Sequence, residues 1–265
     1  MKNNMNDKRK SSFDNIATIY ENARPGYPNE MYEGIEKHFK FGPNSKILEI
    51  GAGDGKATIE MYKRWNSHFT VLEPGPKFYK LLQKKFIGKN NVKIIRSTFE
   101  DYTSTELYDC VVSATAFHWI PKDISYLKTA SLLKEKGLIV LFWNNFSRND
   151  DCIFDEIQEL YRLYYPEDIY EQDIRKSQRK KTDEKKMELE ESRCFKLISH
   201  QEYIHSKIYT ADGYIELLKT FSDNSIKNIE SLSTFYRAIK ALIKKNGDRL
   251  ELPIHVNLEI GEKIS

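Results

Sequence analysis

Three glycines at alternate positions follow a short apolar run and stand beside carboxylates. The run Ile47–Ile50 leads directly to Gly51, and Gly53 and Gly55 come after it. A second apolar run further along the chain ends in Glu73. Glycine permits backbone conformations and close approaches that other residues do not. A strand, a glycine turn, a helix and a second strand in this order indicate a nucleotide-type ligand at the tip of the first strand.

The glycine turn departs from the dinucleotide-binding pattern, and the differences indicate which nucleotide-type ligand it would bind. That pattern, G-x-G-x-x-G, needs a third glycine so that the helix packs closely on the strand, but Lys56 occupies the position here. The turn also carries Glu49 and Asp54, and two carboxylates would repel a pyrophosphate. S-adenosylmethionine has a sulfonium and an ammonium group and no phosphate, so an acidic glycine turn favours it. Glu73 would accept hydrogen bonds from its ribose hydroxyls.

The bulk composition argues against several classes of protein. The 265 residues include 42 Lys and Arg against 39 Asp and Glu, which gives a formal net charge of +3. A dedicated nucleic-acid binder usually has a clearly basic balance. No apolar run approaches the roughly 20 residues that span a bilayer, and the charged start of the sequence lacks the apolar segment of a signal peptide. We therefore expect a cytoplasmic protein that forms either one large domain or a domain with an elaboration.

The three cysteines, Cys110, Cys152 and Cys194, lie far apart in the sequence. Because no Cys-x-x-Cys pair exists, neither a zinc site nor a disulfide framework is indicated. We expect buried, reduced thiols and no bound metal.

Strand and helix signals alternate from Lys46 to Asn144. The strand signals, which are short and apolar, are Ile47–Ile50, Phe69–Glu73, Val92–Arg96, Cys110–Ala114 and Leu138–Trp143. The helical segments are Ala57–Trp65, Pro76–Phe86 and about Ile124–Leu133, the last followed by a turn at residues 134–137 with Gly137 as its cap. Such alternation predicts a parallel sheet with helices on both faces and ligands at the carboxyl ends of the strands.

The sequence on either side of this alternation has other patterns. Apolar residues at helical spacing, a turn at Arg24–Pro28 and a short helix at about Glu30–Phe39 predict a lid across the strand ends. Beyond Asn145 we expect helices at Phe154–Tyr165, Ala211–Phe221 and Ile226–Lys245, and strands at Phe195–Tyr209 and Leu252–Ile260. The charged stretch Arg175–Glu191 is either a nucleic-acid patch or a solvated helix or loop, and we favour the second interpretation.

Several segments, spread over nearly the whole chain, resemble one enzyme family. They are Phe13-Asp14 with Arg24–Pro28, the turn Glu49–Gly55, Glu73-Pro74, Ala116–Trp119 and Tyr209–Ser222. On these motifs the chain resembles the class I S-adenosylmethionine-dependent methyltransferases, in particular the type 11 group similar to trans-aconitate methyltransferase. All class I members share the glycine turn, whereas the first and last segments are more particular to the group.

The resemblance implies a fold and a division of the chain. The fold would be α/β: a Rossmann-like, seven-stranded, mostly parallel sheet with helices on both faces and an antiparallel hairpin at one edge. Residues 1–40 would form the lid and first helix, and 41–145 the cofactor-binding core. Residues 146–194 would form a helical insertion, and 195–265 the strands and helices that complete the sheet and cover the substrate.

The resemblance also implies roles for particular residues. The glycines would let the backbone approach the methionine part of S-adenosylmethionine, and Glu73 would hold its ribose. Phe99 would pack on adenine, and Glu100 would reach the adenine amine. A purely structural role is the alternative for Glu49, Phe99 and Arg24. The cofactor-binding residues that we expect are Tyr20, Arg24, Glu49, Gly51, Gly53, Gly55, Glu73, Pro74, Thr98, Phe99, Glu100 and Ala114.

The stretch Ser113–Trp119 follows the fourth predicted strand, and we expect the methyl acceptor there. It lacks the Asn/Asp-Pro-Pro-Tyr/Phe signature of enzymes that methylate nucleobase amines. His118 is the catalytic candidate and would accept a proton or orient the acceptor, with a lid contact as its alternative role. Arg24, with Tyr20 and Tyr27 beside it, would bind a carboxylate of the cofactor or the substrate.

These expectations combine into one predicted function. The protein would transfer a methyl group from S-adenosylmethionine to a small molecule, at a carboxylate, hydroxyl or amine, without binding nucleic acid or membranes. The alternatives are a non-catalytic S-adenosylmethionine-binding regulator, an NAD-dependent oxidoreductase, and a methyltransferase for RNA or protein.

Overall fold

The computed structural model describes residues 17–165, 188–221 and 229–264. Three parts of the sequence-based expectation fall wholly or mainly outside these residues. They are the Phe13-Asp14 motif, most of the charged stretch Arg175–Glu191, and the start of the helix expected at Ile226–Lys245.

Seven strands form one sheet in the order β3-β2-β1-β4-β5-β7-β6. The strands are β1 Lys46–Ile50, β2 His68–Leu72, β3 Val92–Ile95, β4 Tyr108–Ala114, β5 Leu133–Phe146, β6 Phe195–Tyr209 and β7 Leu250–Lys263. β1 pairs in parallel with β2 and β4, β2 with β3, and β4 with β5, whereas β7 and β6 form the antiparallel edge pair. The sheet expected from the sequence is confirmed.

Helices connect the strands at the expected places. They are α1 Ala17–Ala23, α2 Asn29–Glu36, α3 Lys56–Trp65, α4 Pro76–Lys85, α5 Lys122–Leu132, α6 Cys152–Tyr164, α7 Ala211–Lys219 and α8 Ile229–Lys245. Two of them have residues at the N-terminus that favour the start of a helix. Pro76 occupies the first turn of α4, where its missing N–H costs nothing, and the Thr210 hydroxyl accepts the Gly213 N–H at the start of α7.

The described residues divide into two units. The sheet unit comprises residues 26–145, 188–203 and 255–264, and the helical unit comprises 17–25, 146–165, 204–221 and 229–254. The strands β6 and β7 therefore contribute residues to both units.

The core of the sheet unit follows from the two-residue period of its strands. Leu48 and Ile50 of β1 and Ile139 and Leu141 of β5 are buried and belong to one cluster, because alternate side chains point to the same face of a strand. Tyr126 and other residues of α5 cover this face. The strand positions between them, Glu49 and Val140, are buried as well, so both faces of these central strands are covered, as in a parallel sheet with helices on both faces.

The connection between α5 and β5 differs from the sequence-based expectation. We expected a glycine-capped turn at residues 134–137, but α5 ends at Leu132, and Leu133 already pairs with Tyr108 in the sheet. The irregularity lies inside β5, where the register shifts and Lys136 takes a positive φ of 58°. The predicted cap at Gly137 is therefore wrong, because strand pairing with β4 begins before the helix signal in the sequence ends.

The core of the helical unit is aromatic. Phe235 of α8 is fully buried, and the rings of Tyr161, Tyr164 and Tyr165 lie 4.7, 5.8 and 5.1 Å from it, centroid to centroid. Such edge contacts between rings add stabilisation beyond the apolar area that they bury. The aromatic residues of α6 therefore hold α8 in place.

The sequence led us to expect no membrane-spanning helix, no metal site and buried cysteines, and the described residues bear on each of these. None of the helices in this part of the chain is both long and apolar enough to cross a bilayer. No group of three potential metal ligands occurs in it either. Of the three cysteines, Cys110 is buried, Cys194 is half-buried and Cys152 is exposed. The expectation of uniformly buried thiols is thus wrong, because Cys152 is the first residue of α6 and points to solvent.

Arg24 is anchored inside the helical unit. Its Nε donates to the Thr220 hydroxyl at 2.8 Å and its Nη2 to the Thr220 carbonyl at 2.9 Å. The guanidinium also lies 5.3 Å from the Tyr20 ring, 5.5 Å from Phe146 and 4.6 Å from Phe221. A planar, permanently charged fork suits both the paired hydrogen bonds and the surrounding rings.

This anchoring predicts that Arg24→Lys destabilises the fold, because an ammonium cannot make the two parallel hydrogen bonds and stacks less well on rings. We expect a loss of about 1–2 kcal/mol in the free energy of unfolding, measured by urea denaturation. Thr220→Val should produce a loss of similar size. A lysine variant with unchanged stability but weaker binding of S-adenosylmethionine would instead support the ligand contact expected from the sequence.

Candidate active site

The three glycines after β1 form a turn that only glycine adopts easily. Gly51, Gly53 and Gly55 have φ values of 68°, 57° and 79°, in the left-handed region where a Cβ is unfavourable. The N–H groups of Gly51 and Ala52 both donate to the Leu72 carbonyl, at 2.9 and 3.2 Å. The turn is therefore tied to the end of the neighbouring strand β2.

Space around the glycines differs from one to the next. A Cβ on Gly51 would meet the Ala116 Cβ at 2.6 Å, and a Cβ on Gly55 would meet the Leu82 Cδ2 at 2.6 Å. A Cβ on Gly53 would meet nothing within 4 Å. Gly51 and Gly55 thus permit close packing of the turn on its neighbours, whereas Gly53 borders open space that a ligand can enter.

Glu73 connects the turn to the next loop. One carboxylate oxygen accepts the Gly53 N–H and the other accepts the Gly75 N–H, each at 2.7 Å. The side chain is 6% exposed. Each carboxylate oxygen can accept more than one hydrogen bond, so Glu73 can hold the turn and still bind a ribose hydroxyl.

Asp54 is paired within the turn. Its carboxylate is buried and forms an ion pair with the Lys56 ammonium, while the Lys85 ammonium donates to the Asp54 carbonyl at 2.7 Å. Lys56 is the residue that replaces the third glycine of the dinucleotide pattern. Its charge compensates Asp54, so Asp54 contributes less negative field to the ligand space than the sequence led us to expect.

Glu49 lies directly beneath the turn and is fully buried. Burial raises the pKa of its carboxyl group from the ordinary 4.5 to about 8, and the nearby carboxylates of Glu73 and Asp54 raise it further, whereas the Thr58 hydroxyl opposes the change. Neither Glu49 oxygen has a hydrogen-bond partner among the described residues. Glu49 is therefore mainly neutral at pH 7, and it does not add a second negative charge to the site.

The residues after β3 lie in two different environments. Phe99 is buried in the core of the sheet unit, with the Lys128 ammonium 5.3 Å from its ring. Thr98 is half-buried, and its hydroxyl donates to Asp101 at 2.7 Å. Glu100 is also half-buried, whereas Pro74, next to Glu73, is exposed. The adenine contacts expected of Phe99 and Glu100 stay predictions.

A strained residue follows β4 at the edge that faces the turn. Thr115 has a φ of 56°, which is uncommon for a β-branched side chain and typically costs about 1–3 kcal/mol. Its hydroxyl lies 2.9 Å from the Tyr27 hydroxyl and accepts the Asn144 N–H at 3.3 Å. Its own N–H donates to the Phe142 carbonyl at 2.8 Å. These contacts hold the backbone in the conformation that directs Ala116 towards Gly51.

Residues near the end of β4 complete this edge. The Ser113 hydroxyl is buried and donates to the Ile50 carbonyl at 3.0 Å, which ties β4 to the last residue of β1. Ala114, expected to contact the cofactor, is half-buried at the end of the strand. The short 3₁₀ helix Phe117–Trp119 begins three residues later.

His118 lies on this 3₁₀ helix and its side chain is exposed. The indole Nε1 of Trp143, on the neighbouring strand β5, lies 3.4 Å from the His118 Nδ1. Trp143 is 5% exposed. The sequence placed His118 at a strand exit but gave no sign of Trp143 as its partner, because the two residues meet only through the pairing of β4 with β5.

The expected residues thus separate into two groups. The sheet unit contains the glycine turn, Glu73, the residues after β3 and β4, and His118. Tyr20 and Arg24 belong to the helical unit, where Arg24 has the Thr220 and ring contacts described above. Sequence reasoning missed the ion pair of Asp54 with Lys56 and the contact of Tyr27 with Thr115, since neither pairing has a transferable spacing.

The arrangement fits S-adenosylmethionine better than a dinucleotide. Gly53 borders open space, and the Glu73 carboxylate lies beside it, within hydrogen-bond distance of the Gly53 N–H. The carboxyl of Glu49 has no hydrogen-bond partner among the described residues and can accept a hydrogen bond from an ammonium group. The residues that would hold the cofactor are therefore Gly51, Gly53, Gly55 and Glu73, with Glu49 beneath them.

Comparisons with known proteins agree with this geometry. Residues 47–137 match the model of a family described as a methyltransferase domain. An uncharacterized methyltransferase of Schizosaccharomyces pombe is 30% identical over 126 residues, which are 47% of this chain and 49% of that protein. The chain spans about half the length of three curated relatives that it matches.

Solved structures show the same fold at low sequence identity. A protein from Anaeromyxobacter dehalogenans, provisionally named a type II methyltransferase, has a TM-score of 0.64 and 15% identity, covering 90% of this chain and 97% of that one. An S-adenosylmethionine-dependent methyltransferase from Thiobacillus denitrificans, solved with S-adenosylhomocysteine, has a TM-score of 0.53 and 11% identity, covering 92% and 96%. At these identities the two structures show the fold alone, and residues 47–137 are similar to a methyltransferase domain.

The raised pKa of Glu49 predicts how stability depends on pH. Between pH 4.5 and about 8 the folded state holds a proton that the unfolded state releases, so the free energy of unfolding falls as pH rises through this window. Glu49→Gln keeps the shape and removes the titration. As pH rises from 5 to 8, the wild type should lose about 1–3 kcal/mol more of its free energy of unfolding than the variant does.

Urea denaturation at several pH values in this range would measure the difference. Parallel pH dependence in the wild type and Glu49→Gln would show that Glu49 titrates normally in the folded protein.

Proposed function

We propose that this protein is an S-adenosylmethionine-dependent methyltransferase that transfers a methyl group to a small molecule at a carboxylate, hydroxyl or amine. It would act in the cytoplasm, and its relationship to trans-aconitate methyltransferase is part of the proposal. The observation that carries the proposal is the left-handed glycine turn with open space at Gly53, tied by Glu73 to the next loop.

The cofactor-binding roles that we propose for individual residues are those expected from the sequence. The backbone of the glycine turn would line the methionine part, and Glu73 would accept hydrogen bonds from the ribose. Phe99, Glu100, Thr98 and Pro74 would border the adenine side.

When bound, S-adenosylmethionine supplies a methyl group that is already activated by the sulfonium. The protein then needs mainly to position the acceptor and exclude water, which can supply much of the acceleration. Thr115 and Tyr27 hold the backbone on the acceptor side, and His118 presents a polar group there. A deprotonated acceptor needs no general base, whereas a hydroxyl or an ammonium does.

Two alternatives use the same fold. An NAD-dependent oxidoreductase is disfavoured because the ion pair of Lys56 with Asp54 occupies the place where a dinucleotide pattern has its third glycine. A non-catalytic regulator would bind S-adenosylmethionine without transferring the methyl group. Incubation of the purified protein with methyl-labelled S-adenosylmethionine and a metabolite extract separates these functions, since only the methyltransferase yields labelled products. Mass spectrometry of the extract would then identify the acceptor.

Gly53 permits a direct test of the cofactor site with a matched control. Gly53 and Gly88 both have positive φ, 57° and 74°, and a Cβ on either would meet nothing within 4 Å. Alanine at either position should therefore cost about 1–2 kcal/mol of stability from the backbone alone. Only Gly53→Ala places a methyl group in the proposed ligand space.

We expect Gly53→Ala to weaken S-adenosylmethionine binding at least tenfold in calorimetry, and Gly88→Ala to leave it within about twofold, because a tenfold change needs only about 1.4 kcal/mol. Equal affinity of the two variants would remove Gly53 from the cofactor site and, with it, the main support for the proposed function.

RNA is a second candidate acceptor, because one surface of the sheet unit is strongly basic. Residues 74–99 contain seven Lys and Arg and no Asp or Glu. Six of them, Lys77, Lys80, Lys84, Lys89, Lys93 and Arg96, are exposed along α4, the following loop and the edge strand β3. Local segregation of this kind is what binding to a phosphate backbone requires, even though the whole chain is nearly balanced. The charged stretch at residues 176–186, which the sequence analysis considered as a nucleic-acid patch, lies outside the described residues.

If RNA is the acceptor, the triple variant Lys80→Glu, Lys84→Glu and Lys89→Glu should bind single-stranded RNA at least tenfold more weakly, because each lysine lost removes a phosphate contact. Filter binding at several salt concentrations would measure both the affinity and its salt dependence.

The matched control reverses three exposed lysines elsewhere, Lys37, Lys219 and Lys245, with the same change in net charge. Equal weakening by both triple variants would mean that net charge alone governs binding, and the basic surface would then support no RNA function.

A further inference from the structure

We propose that a water molecule is enclosed between α2, β1 and α3, where it bridges the Tyr32 hydroxyl, the Glu49 carboxyl group and the Thr58 hydroxyl. The three residues belong to the sheet unit. This hydration site is separate from the proposed function, and it would be present whatever ligand the glycine turn binds.

Four polar atoms of these side chains have no hydrogen-bond partner among the described residues. They are the Tyr32 Oη, both carboxyl oxygens of Glu49 and the Thr58 Oγ1. All three residues are buried, with exposed fractions of 1%, 0% and 0%. Buried polar groups in folded proteins are nearly always hydrogen-bonded, either to protein or to ordered water, because an unpaired one destabilises the fold. A partner for these atoms is therefore required.

The three polar groups lie close to one another. The Thr58 hydroxyl is near enough to oppose the rise that burial causes in the pKa of Glu49, although the two groups make no hydrogen bond. Burial also raises the pKa of the Tyr32 hydroxyl, and the nearby Tyr27 and Glu49 raise it further. Electrostatic effects of this kind weaken with distance, so both hydroxyls are neighbours of the Glu49 carboxyl group.

The ring of Tyr32 is held in place, so its hydroxyl cannot turn to another partner. The ring packs edge-on against Phe142 of β5, with the centroids 6.4 Å apart, and the Arg64 guanidinium of α3 lies 5.2 Å from its centroid. Arg64 is fixed in turn by the side chains of Asn29, at 2.9 Å, and Glu36, at 3.4 Å. The hydroxyl therefore stays buried at the end of a ring that is fixed between β5 and α3.

Water suits this place better than an ion does. A buried water typically makes about three hydrogen bonds, and cavities lined by polar groups hold water whereas apolar cavities stay dry. Hydroxyl groups and a protonated carboxyl group can each donate and accept, so a water finds both kinds of partner here. Because burial favours the neutral form of Glu49, a cation would lack the negative charge that compensates its loss of hydration.

A water at this place connects α2 to both sides of the glycine turn. Glu49 lies two residues before Gly51, and α3, which contains Thr58, begins directly after Gly55. Tyr32 belongs to α2, which precedes both segments in the chain. One bridging water thus joins three elements and gives Glu49 a hydrogen-bond partner that needs no charge on the carboxyl group.

A high-resolution crystal structure of the full-length protein tests the site directly. We expect one peak of electron density at about 2.5–3.0 Å from the Tyr32 Oη, a Glu49 oxygen and the Thr58 Oγ1. A direct hydrogen bond between Tyr32 and Glu49, with no such peak, would overturn the proposal. Crystals soaked in rubidium chloride distinguish water from a cation, since an anomalous signal at the peak would identify a cation and likewise overturn it.

Stability measurements test the site in solution. Tyr32→Phe and Thr58→Val each remove one hydroxyl and nearly keep the shape of the side chain. If a water bridges the hydroxyls, each variant should lower the folding equilibrium constant about threefold to tenfold in urea denaturation, because a hydrogen bond is lost. If the hydroxyls are unpaired, their removal should leave the constant unchanged or raise it, and that result would contradict the proposal.

The double variant shows whether the two hydroxyls share one partner. Independent effects multiply to within about twofold, whereas after one hydroxyl of a shared water is lost the second should cost about threefold less. The matched control is Tyr108→Phe, whose hydroxyl lies 2.6 Å from that of Tyr102 in the core of the sheet unit, and its effect should simply multiply with that of Tyr32→Phe. Simple multiplication for Tyr32→Phe and Thr58→Val as well would rule out a shared water.

Discussion

The two backbone hydrogen bonds that the Glu73 carboxylate accepts are the interaction on which the candidate site depends. Its two oxygens accept backbone N–H groups from Gly53 and Gly75, so a single buried carboxylate joins the turn after β1 to the loop after β2. A left-handed turn of three glycines has high conformational entropy when unfolded and offers no side chains to hold it. The carboxylate, together with the two N–H groups that donate to Leu72, supplies the fixed points that the glycines lack.

The charges around this turn are fewer than the sequence indicates. Glu49, Asp54 and Glu73 are all acidic in sequence, but burial leaves Glu49 mainly protonated and Lys56 compensates Asp54. Both oxygens of Glu73 accept backbone hydrogen bonds. Attraction of a cationic ligand by accumulated negative charge is therefore a smaller effect than we expected. In the proposed site, the open space at Gly53 and the fixed hydrogen-bond acceptors would account for more of the fit.

The acceptor side depends on contacts between distant parts of the chain. Tyr27 precedes β1, Thr115 follows β4, and Trp143 lies on β5, yet they meet at one edge because the parallel strands end there. The strain in Thr115 is maintained by these neighbours rather than by local sequence, which is how unfavourable backbone conformations persist in folded proteins.

The sequence by itself determined the order of strands and helices, the glycine turn and the position of Glu73. These features depend on local periodicity and on the backbone freedom of glycine, both of which are readable one segment at a time. Only the tertiary structure decided that Leu133 joins the sheet instead of the helix, that Arg24 binds Thr220, and that burial raises the pKa of Glu49. Those outcomes depend on burial and on partners far away in the chain, and a residue's type and spacing contain neither.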